Sequence, residues 1–303
     1  MDVRFDDRVA IVTGAGVGLG RCHALLLASR GAKVVVNDPG GSVDGTGTAS
    51  SVADKVVSEI KQAGGEAVAS YGSVADEKSA AGIIQTAMDT WGRVDILVNN
   101  AGILRDRAFN NMTMEDYEFV NQVHHFGTAY CIKAAWPVMR KQQYGRIVVT
   151  TSGSGTVGNF GQANYGAAKM AVNGLINVLR LEGAKYNIRC NAISPSAYTR
   201  MTESLLPPDM APWMKPELVS PMVAWLCSEE CDQNGEIMAA TAGGYARVQY
   251  FVTEGEQFDP AEPVTIEMVR DSLAKIRDLS TAKPYTGMMG NVVEKLREMG
   301  RIK

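Results

Sequence analysis

The chain has 303 residues, of which 46% are hydrophobic and 21% charged, and its formal net charge is −3. This length is enough for one large α/β domain and an additional segment. The small net charge gives no reason to expect a nucleic-acid or membrane-surface partner. No apolar run reaches the roughly 18 residues that a membrane-spanning helix needs.

The compartment is inferred from the cysteines and from the two ends of the chain. Five cysteines are scattered along the sequence without completing a metal-ligand set, which predicts reduced thiols and no bound metal. The N-terminus leads almost directly into the first predicted strand, which leaves no room for a secretory signal. The last residues lack a Ser-Lys-Leu type of peroxisomal signal. We therefore expect a cytoplasmic protein.

Short apolar strands alternate with longer helices along most of the chain, which predicts an α/β fold with a doubly wound parallel sheet. The predicted strands cover 8–12, 33–37, 66–70, 94–98, 146–151, 187–193 and a region near 236–240. The predicted helices cover 19–30, 48–63, 76–91, 114–141, 163–185 and 215–230. After about residue 250 the sequence becomes acidic and proline-marked, and two more helices are predicted near 264–279 and 290–299.

The first predicted strand leads into a glycine-rich segment that opens the first helix. Its glycines, Gly14, Gly18 and Gly20, have the spacing Gly-x-x-x-Gly-x-Gly. Glycines allow the tight turns and the close backbone approach that a pyrophosphate requires at a helix N-terminus. A flexible loop is the alternative, but the flanking strand and helix favour a dinucleotide site that also includes Leu19.

The second predicted strand ends at Asp38, about 20 residues beyond the glycine segment, where such sheets place the acid that contacts the adenosine ribose. A carboxylate accepts hydrogen bonds from both ribose hydroxyls and repels a 2′-phosphate. The adjoining Pro39 and Gly40 supply no basic side chain to hold that phosphate. Asp38 therefore predicts NAD rather than NADP, the alternative being an aspartate that only caps the turn before Pro39.

Two further strand ends carry candidate cofactor contacts. Ser73 and Val74 follow the third strand, where an adenine edge is expected, and Asn100, Ala101 and Gly102 follow the fourth. The small residues let the backbone pass close beneath a cofactor. The Asn100 amide can bind adenosine-side groups or brace the neighbouring strand.

Tyr165 and Lys169 lie four residues apart, and hence on one face of the predicted helix 163–185. A nearby ammonium lowers the pKa of a phenol from about 10, which makes Tyr165 usable as a general acid/base. Ser152 follows the fifth strand, and ligands bind at the carboxyl ends of such strands, so its hydroxyl can bind a substrate oxygen beside Tyr165. The alternatives are a solvated helix face for the pair and a turn residue for Ser152.

Taken together and in order, these motifs resemble the classical short-chain dehydrogenase/reductase family over about residues 5–245. The resemblance implies a Rossmann-type NAD-binding domain with the catalytic site at 1–249 and a helical C-terminal extension at 250–303. It implies hydride transfer between NAD and a secondary alcohol or ketone of a small-molecule substrate. Two long helices are similar to those that pair this family into dimers or tetramers, so a homodimer or homotetramer is expected.

The same resemblance implies residue roles. Tyr165 is the acid/base, Ser152 orients and polarises the substrate oxygen, and Lys169 holds the nicotinamide ribose and lowers the pKa of Tyr165. His124 stands where the family usually has asparagine. It either relays a proton, because the pKa of histidine lies near neutrality, or is a buried histidine satisfied by a backbone carbonyl. Pro195, after the sixth strand, is expected to contact the cofactor.

Three segments are similar to the (3R)-hydroxyacyl-CoA dehydrogenase units of peroxisomal multifunctional β-oxidation enzymes, which are also described as 17β-hydroxysteroid dehydrogenases. They are Val35–Gly41, Asn99–Arg107 and Gly158–Tyr165. This resemblance implies a (3R)-hydroxyacyl-CoA substrate, with a steroid or bile acid as the alternative. A catalytically silent nucleotide-sensing protein is a more distant alternative, which the complete catalytic set disfavours.

The substrate is expected to meet an apolar, mobile segment at 198–214, which is rich in proline and methionine. Such a segment suits an acyl chain and a steroid equally. Arg105, Arg107 and Arg200 are either contacts to a CoA phosphate or ordinary surface charges.

Overall fold

The structure, a computed structural model, describes residues 2–203, 206–285, 293, 295–297 and 299–301. The chain forms two compact units, Met1–Arg247 and Val248–Lys303. The strands of the main sheet are β1 (Val9–Thr13), β2 (Lys33–Asn37), β3 (Glu66–Ser70), β4 (Ile96–Asn99), β5 (Gly145–Thr150), β6 (Ile188–Ser196), β7 (Ile237–Thr241) and β8 (Gly244–Val248). The helices of the first unit are α1 (Gly18–Ser29), α2 (Ser51–Gln62), α3 (Glu77–Trp91), α4 (Met114–Asn121), α5 (Gly127–Gln142), α6 (Gly153–Thr156), α7 (Ala163–Gly183) and α8 (Ser220–Cys227).

The sheet has the strand order β3-β2-β1-β4-β5-β6-β7-β8, and the pairings from β3 to β7 are parallel. The chain runs outward from β1 to β3 and then returns to the other side of β1 to begin β4. The strand order therefore reverses between β1 and β4. In open α/β sheets, ligands bind outside the carboxyl ends of the strands at such a reversal, so the ends of β1 and β4 mark the expected crevice.

The strands form a sheet because they are runs of apolar, largely β-branched residues. All five residues of β1 and the first five of β5 are buried, as expected for parallel strands covered on both faces. The covering helices are amphipathic. In α2 the buried residues are Ala53, Val56, Val57 and Ile60, a spacing that forms one stripe along a helix.

The predicted α/β fold is confirmed, and the seven predicted strands lie within three residues of the observed ones. The sequence did not predict β8, which follows β7 through Ala242 and Gly243. These two residues have positive φ angles of 49° and 80°, as a type I′ hairpin turn requires. Alanine is an uncommon residue at a positive φ, so the turn has no sequence signal.

The predicted helix 114–141 is interrupted. A single π-helical turn, Gln122–Phe126, lies between α4 and α5, and such turns are frequent at functional sites. The predicted helix 215–230 is shorter than expected. It begins at Ser220 after a separate 3₁₀ turn at Pro216–Leu218, because proline favours the first turn of a helix and disrupts its interior.

The second unit contains α9 (Ile266–Asp271) and α10 (Leu273–Ile276) where one helix was predicted. It also contains an antiparallel pair, β9 (Phe251–Val252) and β10 (Lys283–Pro284), which was not predicted. The helix predicted near 290–299 lies largely outside the described residues. None of the described helices combines the length and apolar character needed to cross a membrane.

Candidate active site

The glycine segment between β1 and α1 forms a tight backbone cradle. A side chain at Gly14, which has a φ of 62°, would place its Cβ 2.8 Å from the Ala101 Cα. A Cβ at Gly20 would lie 2.2 Å from the Gly14 carbonyl oxygen. These distances leave no room for any side chain, so the predicted requirement for glycine follows directly from the backbone packing.

Asn100 braces this cradle from the end of β4. Its Nδ2 donates hydrogen bonds to the carbonyl oxygens of Thr13 and Gly14, both at 3.0 Å. The backbone amides of Asn100 and Ala101 both donate to the Thr13 Oγ1 at 3.1 Å. Of the two roles considered for the Asn100 amide, the geometry favours bracing. Thr13, which organises the joint between β1 and β4, was not singled out by the sequence.

Asp38 faces the same cradle and is 8% exposed. Its Oδ2 accepts a hydrogen bond from the Gly16 amide at 2.9 Å, and its Oδ1 accepts one from the Gly40 amide at 2.7 Å. Each oxygen keeps a second lone pair. The carboxylate is therefore fixed in orientation and can still accept hydrogen bonds from a ligand.

These elements surround one cavity of about 280 Å³. The predicted cofactor residues that line it are Gly14, Gly18, Leu19, Asp38, Ser73, Val74, Asn100, Ala101 and Gly102. Gly20 lies beneath the cradle, and Pro195 lies within β6, where it pairs with Ala240. The segment after β6 reaches the cavity through Thr199, Arg200 and Met201 instead. A glycine cradle at a helix N-terminus with a ribose-facing acid fits a nicotinamide dinucleotide.

The polar loop after Asp38, residues 41–48, forms one wall of this cavity. The loop is fastened to the segment after β4, because the Leu104 amide donates to the Val43 carbonyl and the Arg105 Nε donates to the Asp44 carbonyl, both at 3.0 Å. Arg105 also forms a 3.0 Å ion pair with Asp116. Its guanidinium is thus engaged within the chain, which argues against the expected CoA-phosphate contact at this residue.

Ser152, Tyr165 and Lys169 meet beside the carboxyl end of β5. The Lys169 Nζ donates to the Thr150 carbonyl at 2.5 Å and lies 5.4 Å from the centroid of the Tyr165 ring. The Thr151 Oγ1 donates to the Lys169 carbonyl at 3.0 Å, which ties α7 to the strand end. Ser152 precedes α6, and its Oγ accepts a hydrogen bond from the Ser154 amide at 3.1 Å. The Ser152 side chain also hydrogen-bonds the Tyr165 side chain.

The pKa values at this site differ from the expectation. Burial raises the pKa of Tyr165 to about 12, although the adjacent Ser152 side chain lowers it. Burial lowers the pKa of Lys169 to about 7. The expected lowering of the Tyr165 pKa by Lys169 is not found, because desolvation dominates and the ammonium is directed at the Thr150 carbonyl.

His124 lies in the π-helical turn and is buried. Its Nε2 is 2.8 Å from the Ile103 carbonyl oxygen and 3.0 Å from the Ile103 amide, and its tautomer decides which of the two it binds. Burial and the charge of Lys169 hold the pKa of His124 well below its usual value. Of the two roles considered for His124, these contacts favour a buried histidine held by a backbone carbonyl. The described residues contain no cluster of three or more His, Cys, Asp or Glu side chains suited to a metal.

A family model described as "short chain dehydrogenase" matches residues 8–208. The chain is 50% identical to the "Peroxisomal multifunctional enzyme type 2" of Mus musculus over 98% of its own length and 40% of the relative. It is 53% identical to a short-chain type dehydrogenase/reductase of Mycobacterium tuberculosis, over 91% of its own length and 96% of the relative. The chain thus spans less than half of the mouse relative.

Two solved structures are also similar. The full-length peroxisomal multifunctional enzyme type 2 from Drosophila melanogaster is 43% identical, with a TM-score of 0.82 over 98% of this chain and 50% of that one. A 7α-hydroxysteroid dehydrogenase complexed with NADH and 7-oxo glycochenodeoxycholic acid is 30% identical, with a TM-score of 0.72 over 80% of this chain and 95% of that one.

The prediction of a cytoplasmic location is wrong. Relatives from mouse, Drosophila melanogaster, Dictyostelium discoideum and Saccharomyces cerevisiae that align over 91–98% of this chain are all named peroxisomal. Unpaired cysteines distinguish reducing from oxidising compartments, but they do not distinguish one reducing compartment from another. The match over most of the chain, together with the cradle and the Ser152, Tyr165 and Lys169 cluster, establishes that this chain belongs to the short-chain dehydrogenase/reductase family of oxidoreductases.

Proposed function

We propose that this protein is an NAD-dependent dehydrogenase of (3R)-hydroxyacyl-CoA thioesters. The observation that carries the reaction is the meeting of Ser152, Tyr165 and Lys169 at the carboxyl end of β5. The substrate is supported by relatives over most of the chain, including a "Peroxisomal hydratase-dehydrogenase-epimerase" that is 47% identical over 94% of it. A hydratase forms an alcohol and a dehydrogenase oxidises one, so such a protein combines consecutive steps on one substrate.

The chain's own residues account for the proton chemistry. Tyr165 gives its phenolic proton to the substrate oxygen during reduction, and its phenolate takes that proton back from the substrate hydroxyl during oxidation. Ser152 donates its hydroxyl proton to the same substrate oxygen and holds that oxygen next to Tyr165. Lys169 donates to the Thr150 carbonyl at the end of β5, and we assign its remaining donors to the nicotinamide ribose. A bound nicotinamide supplies the hydride acceptor or donor.

Asp38 supports NAD rather than NADP. It is the acidic member among the described residues that line the cavity, and a fixed carboxylate repels a 2′-phosphate. Arg200 lines the same cavity and is the basic group that would have to offset this repulsion for NADP to bind well. The preference for NAD therefore rests on Asp38 outweighing Arg200.

A hydroxysteroid or bile acid is the second candidate substrate. The observation in its favour is the similarity to the 7α-hydroxysteroid dehydrogenase, at 30% identity. The acyl-CoA proposal has the stronger support, because the multifunctional enzymes are 45–50% identical over 91–98% of this chain.

We further propose that catalysis belongs to the first unit and that the protein is a homodimer or homotetramer. The support for self-association is the outer face of α7, where Val178 and Leu181 are 53% and 67% exposed. Large apolar side chains placed close together on one helix favour burial against another copy.

The proposal is tested by following NAD reduction with a (3R)-hydroxyacyl-CoA, its (3S) isomer and a 17β-hydroxysteroid in parallel. Turnover confined to the (3R) thioester supports the proposal, and turnover of the steroid alone overturns it. In Tyr165→Phe, we expect kcat to fall by roughly 10²- to 10⁴-fold with the Kd for NAD unchanged. A loss of NAD binding in that variant would assign Tyr165 a structural role instead.

A further inference from the structure

A hydrogen-bonded chain of side chains leads from the protein surface to the catalytic serine. The Gln162 side chain is at its centre. Its Nε2 donates to the Asp106 Oδ2 at 2.7 Å, and its Oε1 accepts from the Ser154 Oγ, also at 2.7 Å. The Ser154 amide in turn donates to the Ser152 Oγ at 3.1 Å.

Backbone hydrogen bonds hold the segments that carry Gln162 and Asp106 beside each other. Gln162 is the residue that precedes α7, and it is 5% exposed. The segment carrying Asp106 runs beside it, because the Arg107 amide donates to the Gly161 carbonyl at 2.8 Å and the buried Asn164 Nδ2 donates to the Arg105 carbonyl at 3.0 Å. The backbone that carries Asp106 is therefore fixed beside the start of the helix that carries Tyr165.

We propose that Asp106 is a positioning residue, which fixes the orientation of the Gln162 amide and thereby holds the Ser152 turn in its reactive geometry. This inference concerns the dehydrogenase site and rests on the proposed function for its catalytic readout. The physical reason is the chemistry of the two groups. A carboxylate only accepts hydrogen bonds, so the amide NH₂ of Gln162 must face Asp106 and its carbonyl must face Ser154.

The consequence for Ser152 follows from the remaining bonds. With the Gln162 carbonyl facing inward, the Ser154 hydroxyl is committed as a donor to it, and the Asn159 Nδ2 donates to the same oxygen at 3.1 Å. Ser154 is thus fixed, and its amide holds the Ser152 Oγ as an acceptor. The Ser152 hydroxyl proton is then directed to the Tyr165 side chain, with which it hydrogen-bonds, and to a substrate oxygen bound beside that phenol. The negative charge of Asp106 also acts on the Tyr165 phenol, because it contributes to raising the pKa of Tyr165.

The most direct test exchanges the carboxylate of Asp106 and the amide of Gln162 between the two positions. In Asp106→Asn, the new amide can either accept from or donate to Gln162, so the Gln162 amide is free to flip. In Gln162→Glu, two carboxylates face each other across a hydrogen-bond distance and repel. In the double variant Asp106→Asn with Gln162→Glu, the new asparagine amide donates to the carboxylate introduced at position 162, and that carboxylate still accepts from Ser154 and Asn159.

We expect each single variant to lower kcat about tenfold, and the double variant to return it to within about threefold of the unmodified protein, as coupled neighbours do. The Kd for NAD should be unchanged in all three variants. A matched control is Asp89→Asn, because Gln85 and Asp89 form the same 2.7 Å amide–carboxylate bond on the exposed face of α3. The proposal is overturned if the single variants keep full kcat, or if the effects of the two changes simply multiply.

A second readout does not depend on the substrate. Hydrogen–deuterium exchange of the Ser154 and Gly155 amides should accelerate in both single variants and recover in the double variant. Unchanged exchange in the single variants contradicts the proposal. If the unmodified protein fails to oxidise a (3R)-hydroxyacyl-CoA while the exchange follows the expected pattern, the proposed substrate is wrong and the positioning role of Asp106 stands.

Discussion

The imidazole of His124 stands edge-on to the phenol of Tyr165, with ring centroids 5.0 Å apart and an angle of 89° between the planes. The π-helical turn between α4 and α5 presents the histidine in this way, against the backbone of Ile103. The contact joins the acid/base residue to a ring that is kept neutral by burial. His124 therefore shapes the environment of Tyr165 without adding a charge to it.

The first prediction concerns pH. Because burial holds the pKa of His124 well below its usual value, the profile of kcat/KM should show no inflection from this residue between pH 6 and 8. His124→Asn should lower kcat without changing the shape of the profile in this range. An inflection near pH 6.5 that disappears in His124→Asn would contradict this prediction.

The second prediction concerns cofactor choice. Removing the carboxylate in Asp38→Ala should weaken NAD binding by roughly 10- to 100-fold, as expected for lost hydrogen bonds to a charged group, and should relax discrimination against NADP. The Kd values for both cofactors, measured by fluorescence titration, check this. Arg200→Ala isolates the effect of the opposing positive charge. In this variant NADP binding should weaken and NAD binding should not. A preference of the unmodified protein for NADP would refute the role of Asp38.

The third prediction concerns stability. The pKa of Lys169 falls from its ordinary 10.5 to about 7 in the folded protein, so between these values the unfolded chain binds a proton that the folded chain does not. The free energy of unfolding attributable to this group therefore rises with pH across that window, by at most about 1.4 kcal/mol per pH unit. Below pH 7, the burial of Lys169 lowers the free energy of unfolding by its full amount.

Replacing this residue should remove the dependence. The stability of Lys169→Met relative to the unmodified protein should be most favourable near pH 7 and should decline steadily toward pH 9.5, as measured by denaturant unfolding without cofactor. Lys55→Met, which changes an exposed lysine of α2, is the control and should show no such trend. A constant difference between Lys169→Met and the unmodified protein would show that Lys169 keeps its proton on folding.

The fourth prediction concerns the loop at 41–48. Because Arg105 fastens this loop through the Asp44 carbonyl and is itself held by Asp116, Arg105→Ala should free the loop and raise the Kd for NAD by about five- to tenfold. Arg107→Ala changes an exposed arginine two residues away and should leave the Kd unaltered. Equal NAD affinity in Arg105→Ala and the unmodified protein would show that the loop does not contribute to cofactor binding.

Some of the site could be predicted because its signals are local. A buried parallel strand is an apolar run, a helix face repeats every three to four residues, and the glycine segment lies directly between β1 and α1. These patterns placed Gly14, Asp38 and Tyr165 on elements whose ends meet at the reversal of strand order. The π-helical turn at 122–126 and the Ala242–Gly243 hairpin were not predicted, because neither has a characteristic local composition.

The sequence by itself determined the family, the first seven strands with the helices that alternate with them, and the set Ser152, Tyr165 and Lys169. Only the tertiary structure decided the charge states of that set, because burial, rather than spacing along the helix, controls the pKa values of Tyr165 and Lys169. It also decided the pairing of Asp106 with Gln162, 56 residues apart in the chain. Desolvation and contacts between distant residues depend on the packed whole, and no local pattern encodes them.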